Sequence, residues 1–354
     1  MRKPVSAPFH FLTYLLVIGA YAALQVLQAR GELSATMRGM LVPICAYVVM
    51  AVSLNLTVGV LGELSLGHAG FMSVGAFLGT STAIALQDAV PVPGVRLAIA
   101  LVVAALCAAV AGFLIGIPVL RLNGDYLAIV TLAFGEIIKA IFNNLYLGVD
   151  AKGVHVSLLE DTTNTAADGR LIIQGPMGIG GIQKISTFTA GFVLIMISLI
   201  VIFNLVGSRA GRAIMAIRDN PIAAQSVGVN LIKYKMMAFV VSAALAGSAG
   251  ALFAMNYSTV VANKFDFNTS ILILVFVVLG GLGNMFGSIV AAAALTILPE
   301  ALRPIAEYRM LLYAVLLIVM MLTANHPFVK AIFNRFRQTG QIQLETDDEE
   351  KEAA

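Results

Sequence analysis

The chain lacks the features of a soluble enzyme or a secreted disulfide-rich domain. It has no tryptophan, two cysteines among 354 residues, and a charged fraction of only 12%. Soluble domains carry about 25% charged residues, so an ordinary soluble domain is excluded. Cys45 and Cys107 both fall in apolar runs, which indicates small buried side chains and excludes a disulfide framework. Any aromatic belt at a membrane surface must therefore come from tyrosine and phenylalanine.

Several catalytic patterns are missing as well. No GxxxxGK[ST] phosphate loop occurs, so we do not expect this chain to bind or hydrolyse ATP itself. The four histidines are scattered, without an HExxH pair or paired cysteines, so we expect neither a metal nor a catalytic role. The net charge of +3 indicates no nucleic-acid partner, because the basic residues cluster beside apolar runs.

Long hydrophobic runs dominate what is present. The chain is 59% hydrophobic with a mean hydropathy of +0.93, which is typical of a polytopic membrane protein. We therefore predict an all-α helical bundle of about ten transmembrane helices. The predicted helices cover approximately residues 9–27, 39–60, 71–86, 95–117, 126–146, 187–206, 236–256, two parts of 269–298, and 310–324.

The run 269–298 decides the predicted topology. As one straight helix it would span about 45 Å, too long for a hydrocarbon core of about 30 Å. The glycine-rich stretch 280–287 favours two shorter helices. Ten crossings then place both termini in the cytoplasm, in agreement with the basic residues that follow the last helix. If the glycine-rich stretch is only a kink, the count is nine and the C-terminus lies outside. We predict a transmembrane domain over 1–328, an external loop over 148–185, and a disordered cytoplasmic tail over 329–354.

The segment 207–235 is too polar to lie in lipid. It has five basic residues against one acidic residue, Asp219, so the positive-inside rule places it in the cytoplasm. Asn220 and Pro221 are typical of an N-cap followed by the first residue of a helix, and Gly228 of a helix end. Two short helices here would suit docking of a cytoplasmic partner. The alternative is an ordinary basic loop without a partner.

This segment resembles the coupling motif of ABC-importer permeases, in which Glu-Ala-Ala is followed by Gly after three further residues. Ala223, Ala224 and Gly228 match the motif, whereas Ile222 stands in place of its Glu. The longer stretch RAIMAIRDNPIAAQSVGVN resembles branched-chain amino acid permeases of the LivH/LivM type. SLGHAGF, GDYLAIVTLAFGEIIK and GGLGNMFGS also resemble that family, and together these matches extend from the second to the eighth helix.

The resemblance implies a type II ABC-importer-like permease of the bacterial cytoplasmic (inner) membrane. It would carry leucine, isoleucine or valine together with a LivH-like partner permease chain, two cytoplasmic ATPase subunits that hold ATP and magnesium, and an external substrate-binding protein. Ile214 and Ile217 would then fit an apolar groove of an ATPase. The residues expected to couple to the ATPases are Arg212, Ile214, Ile217, Arg218, Asp219, Asn220, Pro221, Ala223, Ala224 and Gly228.

Two glycine-rich breaks, VLGELSLGHAGFM and VLGGLGNMFGSIV, have similar patterns. Broken helices at membrane depth are tolerated where they are buried in protein or line a cavity, so paired breaks indicate a transport path. His68 could contact substrate or have only a packing role, and Glu136 could face the path or pair with Lys139. The candidate path residues are Asn55, Gly67, His68, Glu136, Gly281, Gly283 and Asn284.

Other functions fit the same pattern. Related permeases carry urea, short amides or other amino acids, so the family resemblance leaves the substrate open among these. A secondary transporter driven by an ion gradient is the rival class, with Glu136 as its proton or cation site. A channel would need a ring of like residues at a constriction.

Overall fold

The structure is a computed structural model of the chain. It describes residues 7–301 except 33, 88, 123, 151–152 and 159–169, together with 314, 315 and 318. The chain divides into two compact units, Met1–Thr296 and Ile297–Ala354. The predicted helix at 310–324 falls almost entirely outside the described residues, and the predicted tail at 329–354 lies wholly outside them.

Helices make up most of the first unit. A π-helix, Leu56–Leu61, continues the second helix directly. The α-helices are α1 Ala7–Ala29, α2 Ala35–Asn55, α3 His68–Ala85, α4 Pro93–Val119, α5 Asp125–Asn144, α6 Phe188–Gly207, α7 Arg209–Asp219, α8 Pro221–Ser226, α9 Leu231–Ala254, α10 Phe267–Gly280 and α11 Met285–Ala301.

Seven helical stretches within the described residues are long and apolar enough to cross a membrane. They involve α1, α2 with its π-helical end, α4, α5, α6, α9 and α10. The predicted interruption of 269–298 is confirmed, since α10 ends at Gly280 and α11 begins at Met285. A count of ten crossings stays a prediction.

The prediction of an all-α fold is wrong in the loop at 148–185. This region contains most of a three-stranded antiparallel sheet of order β2-β1-β3, with β1 Leu145–Asp150, β2 Gly153–Leu158 and β3 Arg170–Gln174. Apolar residues alternate along these strands, as in Leu145, Leu147 and Val149, and this period of two favours strands. The predicted end of the fifth helix, at 145–146, therefore belongs to β1.

In the core of the bundle, α3, α4 and α9 pack closely against one another through small residues. A side chain added at Gly75 of α3 would overlap the carbonyl of Gly247 on α9, and one added at Gly112 of α4 would meet the Cβ of Ala243. Backbones approach this closely only where small residues line the interface. On α9, Ala243, Gly247 and Ala251 form a face of small residues, and all three are buried.

We expect Gly75→Leu to destabilise the bundle strongly, because no flexible side chain lies opposite to make room. The loss of unfolding free energy should reach about 3 kcal/mol, the upper end for an overpacked core. Thermal unfolding in detergent is measured in a Cys107→Ala background, with a thiol-reactive dye that reaches buried Cys45 only on unfolding. Gly94→Leu is the control, since Gly94 has open space around it; equal stabilities would contradict the packing.

Helix α9 connects two opposite ends of the bundle. Its 24 residues span about 36 Å, beginning just after α7 and α8. After its far end, Val260 pairs with Ile179, which in turn bridges to Ile173 of β3. The polar helices α7 and α8 therefore lie at one end of the bundle, and the sheet lies at the other.

Candidate functional site

The first glycine-rich break begins where α2 widens into the π-helix. The chain turns after Leu61, and α3 starts at His68, whose Nε2 lies 2.8 Å from the hydroxyl of Ser53. Ser53 precedes Leu61 by eight positions, or about 12 Å of helix. Helix α3 therefore begins inside the bundle, as expected for a broken helix buried in protein.

The second break, residues 281–284, lies against the first. The backbone N–H of Gly283 donates to Oδ1 of Asn55 at 2.8 Å, and Nδ2 of Asn55 donates to the hydroxyl of Ser288 at 2.9 Å. Gly281 and Gly283 have φ values of +92° and +80°, which form the turn between α10 and α11. Asn284 caps α11 by accepting from the N–H of Gly287 at 3.3 Å. The helical stretch that leads into the first break, at Asn55 and Gly59, is thus in direct contact with the second break.

Gly67 and His68 pack within the bundle. A side chain at Gly67 would overlap the carbonyl of Thr131 on α5. The ring of His68 is buried beside Ser53, and it meets the ring of Phe71 edge-on with centroids 6.1 Å apart. These contacts favour the packing role for His68, and contact with substrate stays a prediction.

Glu136 pairs with Lys139, as their spacing predicts. The Lys139 Nζ lies 2.9 Å from Oε2 of Glu136, and Oε1 of Glu136 accepts from the backbone N–H of Phe267 at the start of α10. The carboxylate is 44% exposed. Gly283 lies beyond the far end of α10, about 20 Å away along its 14 residues. Glu136 thus lies apart from Gly283 and its partner Asn55, whereas Gly67 packs against Gly135, the neighbour of Glu136.

The two short helices predicted in 207–235 are confirmed as α7 and α8. Asn220 caps α8, since its Oδ1 accepts from the N–H of Ala223 at 3.0 Å and Pro221 occupies the first helical position. Gly228 follows α8 with a φ of +86°, a conformation that a residue with a side chain adopts only under strain. The segment is a folded unit at one end of the bundle, and α9 begins inside it at Leu231.

The expected roles of the apolar residues in this segment need correction. Ile214 and Ile217 were expected to fit a groove of a partner, but both are buried within this chain. They lie on the inner face of the amphipathic helix α7, so a partner cannot reach them. The most exposed large apolar side chains of the segment are Ile222 and Val227, which are 80% and 78% exposed, followed by Ile232 at 51%. In the sequence, Ile222 was noted only because it stands where the coupling motif of ABC-importer permeases has Glu.

Charged residues of the segment 207–235 contact the first break. The sequence did not predict these contacts. Nη1 of Arg218 donates to the carbonyl of Gly59 at 3.1 Å, while Nε and Nη2 of the same side chain pair with Asp219. Lys235, in the second turn of α9, forms an ion pair with Glu63. Arg212 instead donates to the carbonyl of Gly207.

The ion pair of Lys235 and Glu63 is buried, with side chains 7% and 16% exposed. We expect Glu63→Leu to lower the unfolding free energy by roughly 3–5 kcal/mol, because it leaves a buried ammonium unpaired. Replacing both residues, with Lys235→Met added, should restore most of this loss. The dye-detected unfolding temperature of the single and double variants measures both effects. A single variant as stable as the parent would contradict the pairing.

Comparison with known proteins identifies the family. A family model described as the permease component of branched-chain amino acid transport systems matches residues 36–324. The chain is 36% identical over 326 residues to the high-affinity branched-chain amino acid transport system permease protein LivM of Salmonella typhimurium, covering 88% of this chain and 72% of that protein. The chain belongs to the branched-chain amino acid permease family.

The LivM protein of Escherichia coli gives the same identity. It is 36% identical over 290 residues, which cover 78% of this chain and 66% of that protein. No solved structure matches the chain. Together with the seven apolar helices within the described residues, family membership makes this chain a multi-pass membrane permease, a transport component rather than an enzyme. The segment 207–235 and both breaks lie inside the matched range.

Proposed function

We propose that this chain is one transmembrane subunit of an ABC importer for branched-chain amino acids in the bacterial cytoplasmic membrane. Separate ATPase subunits bind ATP and magnesium and supply the energy. A second permease chain, LivH-like, completes the pathway, and an external binding protein delivers leucine, isoleucine or valine. Both ends of the chain lie in the cytoplasm, which follows from ten crossings.

One observation carries the proposal: a folded, capped, polar segment lies at one end of a family-matched bundle and directly contacts a broken helix. A loop kept in place by topology alone would need neither helix caps nor buried contacts. Family membership supports the transport class, and the names of both relatives support the substrate class.

The exposed apolar side chains of α8 and of the turn that follows it give the ATPase its contact. Ile222 and Val227 lie on a segment rich in basic residues, and neither faces the bundle. Exposed apolar side chains rimmed by polar residues are typical of protein–protein contacts. The contact with the ATPase therefore centres on these two residues, while Ile214 and Ile217 anchor α7 to its own chain.

Uptake by the purified complex tests the proposal. The chain is reconstituted in proteoliposomes with a LivH-like permease and the ATPase subunits, and uptake of labelled leucine is measured with the binding protein outside and ATP inside. Urea and acetamide are the competing substrates, and a proton or sodium gradient without ATP is the competing energy source.

We expect leucine, isoleucine and valine uptake that needs both ATP and the binding protein. Uptake of urea or acetamide alone would overturn the substrate class. Uptake that an ion gradient drives without ATP would overturn the ABC mechanism and favour a secondary transporter that uses Glu136.

A further inference from the structure

The last turn of α7 is attached to the first break by Arg218. Carbonyl groups at the end of a helix lack partners within it, and Arg218 donates to the carbonyl of Gly59 at the end of the π-helix. The aliphatic part of Arg218 lies directly over Gly62, where an added side chain would lie 2.5 Å from its Cγ. The guanidinium and its stem therefore hold two points of the same break.

Lys235 holds the same break from the other end of the segment. Its ion pair with Glu63 is buried, and Glu63 follows Gly62 directly in the chain. Arg218 precedes α8 and Lys235 follows it. The segment therefore contacts the first break through two charged groups, one on each side of α8: Arg218 at Gly59, which lies beside Asn55, and Lys235 at Glu63.

The side chain of Asn55 connects the end of α2 to the second break through two direct hydrogen bonds. A backbone N–H can only donate, so Oδ1 of Asn55 must face Gly283, which leaves its Nδ2 for Ser288. The Asn55 side chain is fully buried, so water does not compete for these bonds. Gly59 lies between the partners, and a side chain there would overlap both Asn55 and Gly283.

We propose that Arg218, Gly59 and Asn55 form a link that carries movement of the coupling segment to both glycine-rich breaks at once. The inference rests on the proposed function, because the ATPases supply the movement. Hydrogen bonds transmit a pull along this link, and the close contact between Gly59 and Gly283 transmits a push. Arg218 and Asn55 are positioning residues, since neither needs to contact substrate.

A purely structural role makes a different prediction. If these contacts only stabilise the fold, a variant should lose folded protein, ATP hydrolysis and uptake in proportion. If they form a link, a variant that still folds should take up less substrate for each ATP hydrolysed. In such a variant, α8 should still move when the ATPases act, whereas the second break should not.

The test follows both sites by spin labels in the reconstituted complex. Cys45 and Cys107 are replaced by alanine, and single cysteines are introduced as Gln225→Cys on α8 or Leu282→Cys in the second break, both at exposed positions. Spectra are recorded without nucleotide and after trapping with ATP and vanadate. Arg218→Gln keeps the carbons over Gly62 but is too short to reach Gly59. Arg209→Gln is the matched control, because Arg209 is exposed on the same helix.

In the parent and the control, both labels should respond to trapping. In Arg218→Gln the response at 225 should persist while the response at 282 is lost. Uptake per ATP should fall roughly tenfold, within the range of about 5- to 150-fold typical of coupling between two sites. A response at 282 that survives in Arg218→Gln would overturn the link but leave the proposed function standing.

Two further outcomes decide the remaining cases. If neither label responds in the parent, the ATPases do not move this segment, and both the link and its proposed coupling role are overturned. If Arg218→Gln does not accumulate in the membrane, the labels are measured in Asn55→Ala, which removes the hydrogen bonds of Asn55 to Gly283 and to Ser288. Loss of the response at 282 then supports the link, and an unchanged response overturns it.

Discussion

Gly59→Ala is expected to abolish most uptake while leaving the chain in the membrane. A single methyl group there would overlap the Oδ1 of Asn55 and the backbone N of Gly283. Neither group can rotate away, since one is backbone and the other is held by two hydrogen bonds. The two breaks must separate to make room. We expect uptake to fall at least roughly tenfold, as a coupling loss of about 1–3 kcal/mol would give.

Gly39→Ala is the matched control for this change. Gly39 lies near the start of the same helix, α2, and has open space around it. Uptake of labelled leucine, divided by the amount of chain in the proteoliposomes, compares the two variants. Parent-like uptake by Gly59→Ala would show that close contact between the breaks is not needed for transport.

Ile222→Lys combined with Val227→Lys is expected to prevent binding of the ATPase subunits. These two side chains are the exposed apolar groups of α8 and the turn that follows it. Burying a lysine in their place leaves a desolvated charge in the contact. Loss of two central apolar anchors typically costs about 2 kcal/mol or more each, so affinity should fall by roughly 1000-fold.

Binding of detergent-purified permease to immobilised ATPase measures this affinity. Gln225→Lys is the control, because it adds a charge to the same helix at a position that is exposed and already polar. Stability should be unchanged in both, since neither alters a buried residue. If the double variant binds the ATPase as tightly as the parent, Ile222 and Val227 are not the contact. The proposal that the ATPase moves the bundle through these two residues would then be wrong.

The sequence predicted the helices well because their apolar runs are long. The predicted helix ends were wrong where a polar residue caps a helix. Helix α9 was expected to begin at Met236, yet it begins at Leu231, since Oδ1 of Asn230 accepts from the N–H of Lys233 at 3.1 Å. Hydropathy alone treats Lys233 and Lys235 as loop residues. The cap places them in the first two turns of a helix, where Lys235 reaches Glu63.

The sheet and the link were beyond the reach of sequence reasoning for different physical reasons. The region 148–185 is rich in Gly, Thr, Asn and Asp, and this composition concealed the short alternating runs of β1 and β3. The contact of Arg218 with Gly59 joins positions separated by 159 residues. A local sequence pattern cannot predict a contact between residues so far apart in the chain. The similarity of the two breaks did predict that both line one transport path.

Cross-linking from position 222 in intact cells tests the central claim most directly. A photoreactive amino acid replaces Ile222, and the products of irradiation are probed for the ATPase subunits. We predict a cross-link to an ATPase, together with protection of a cysteine at 225 from membrane-impermeant reagents outside the cell. Labelling of 225 from the outside, or cross-links that never include an ATPase, would contradict the account.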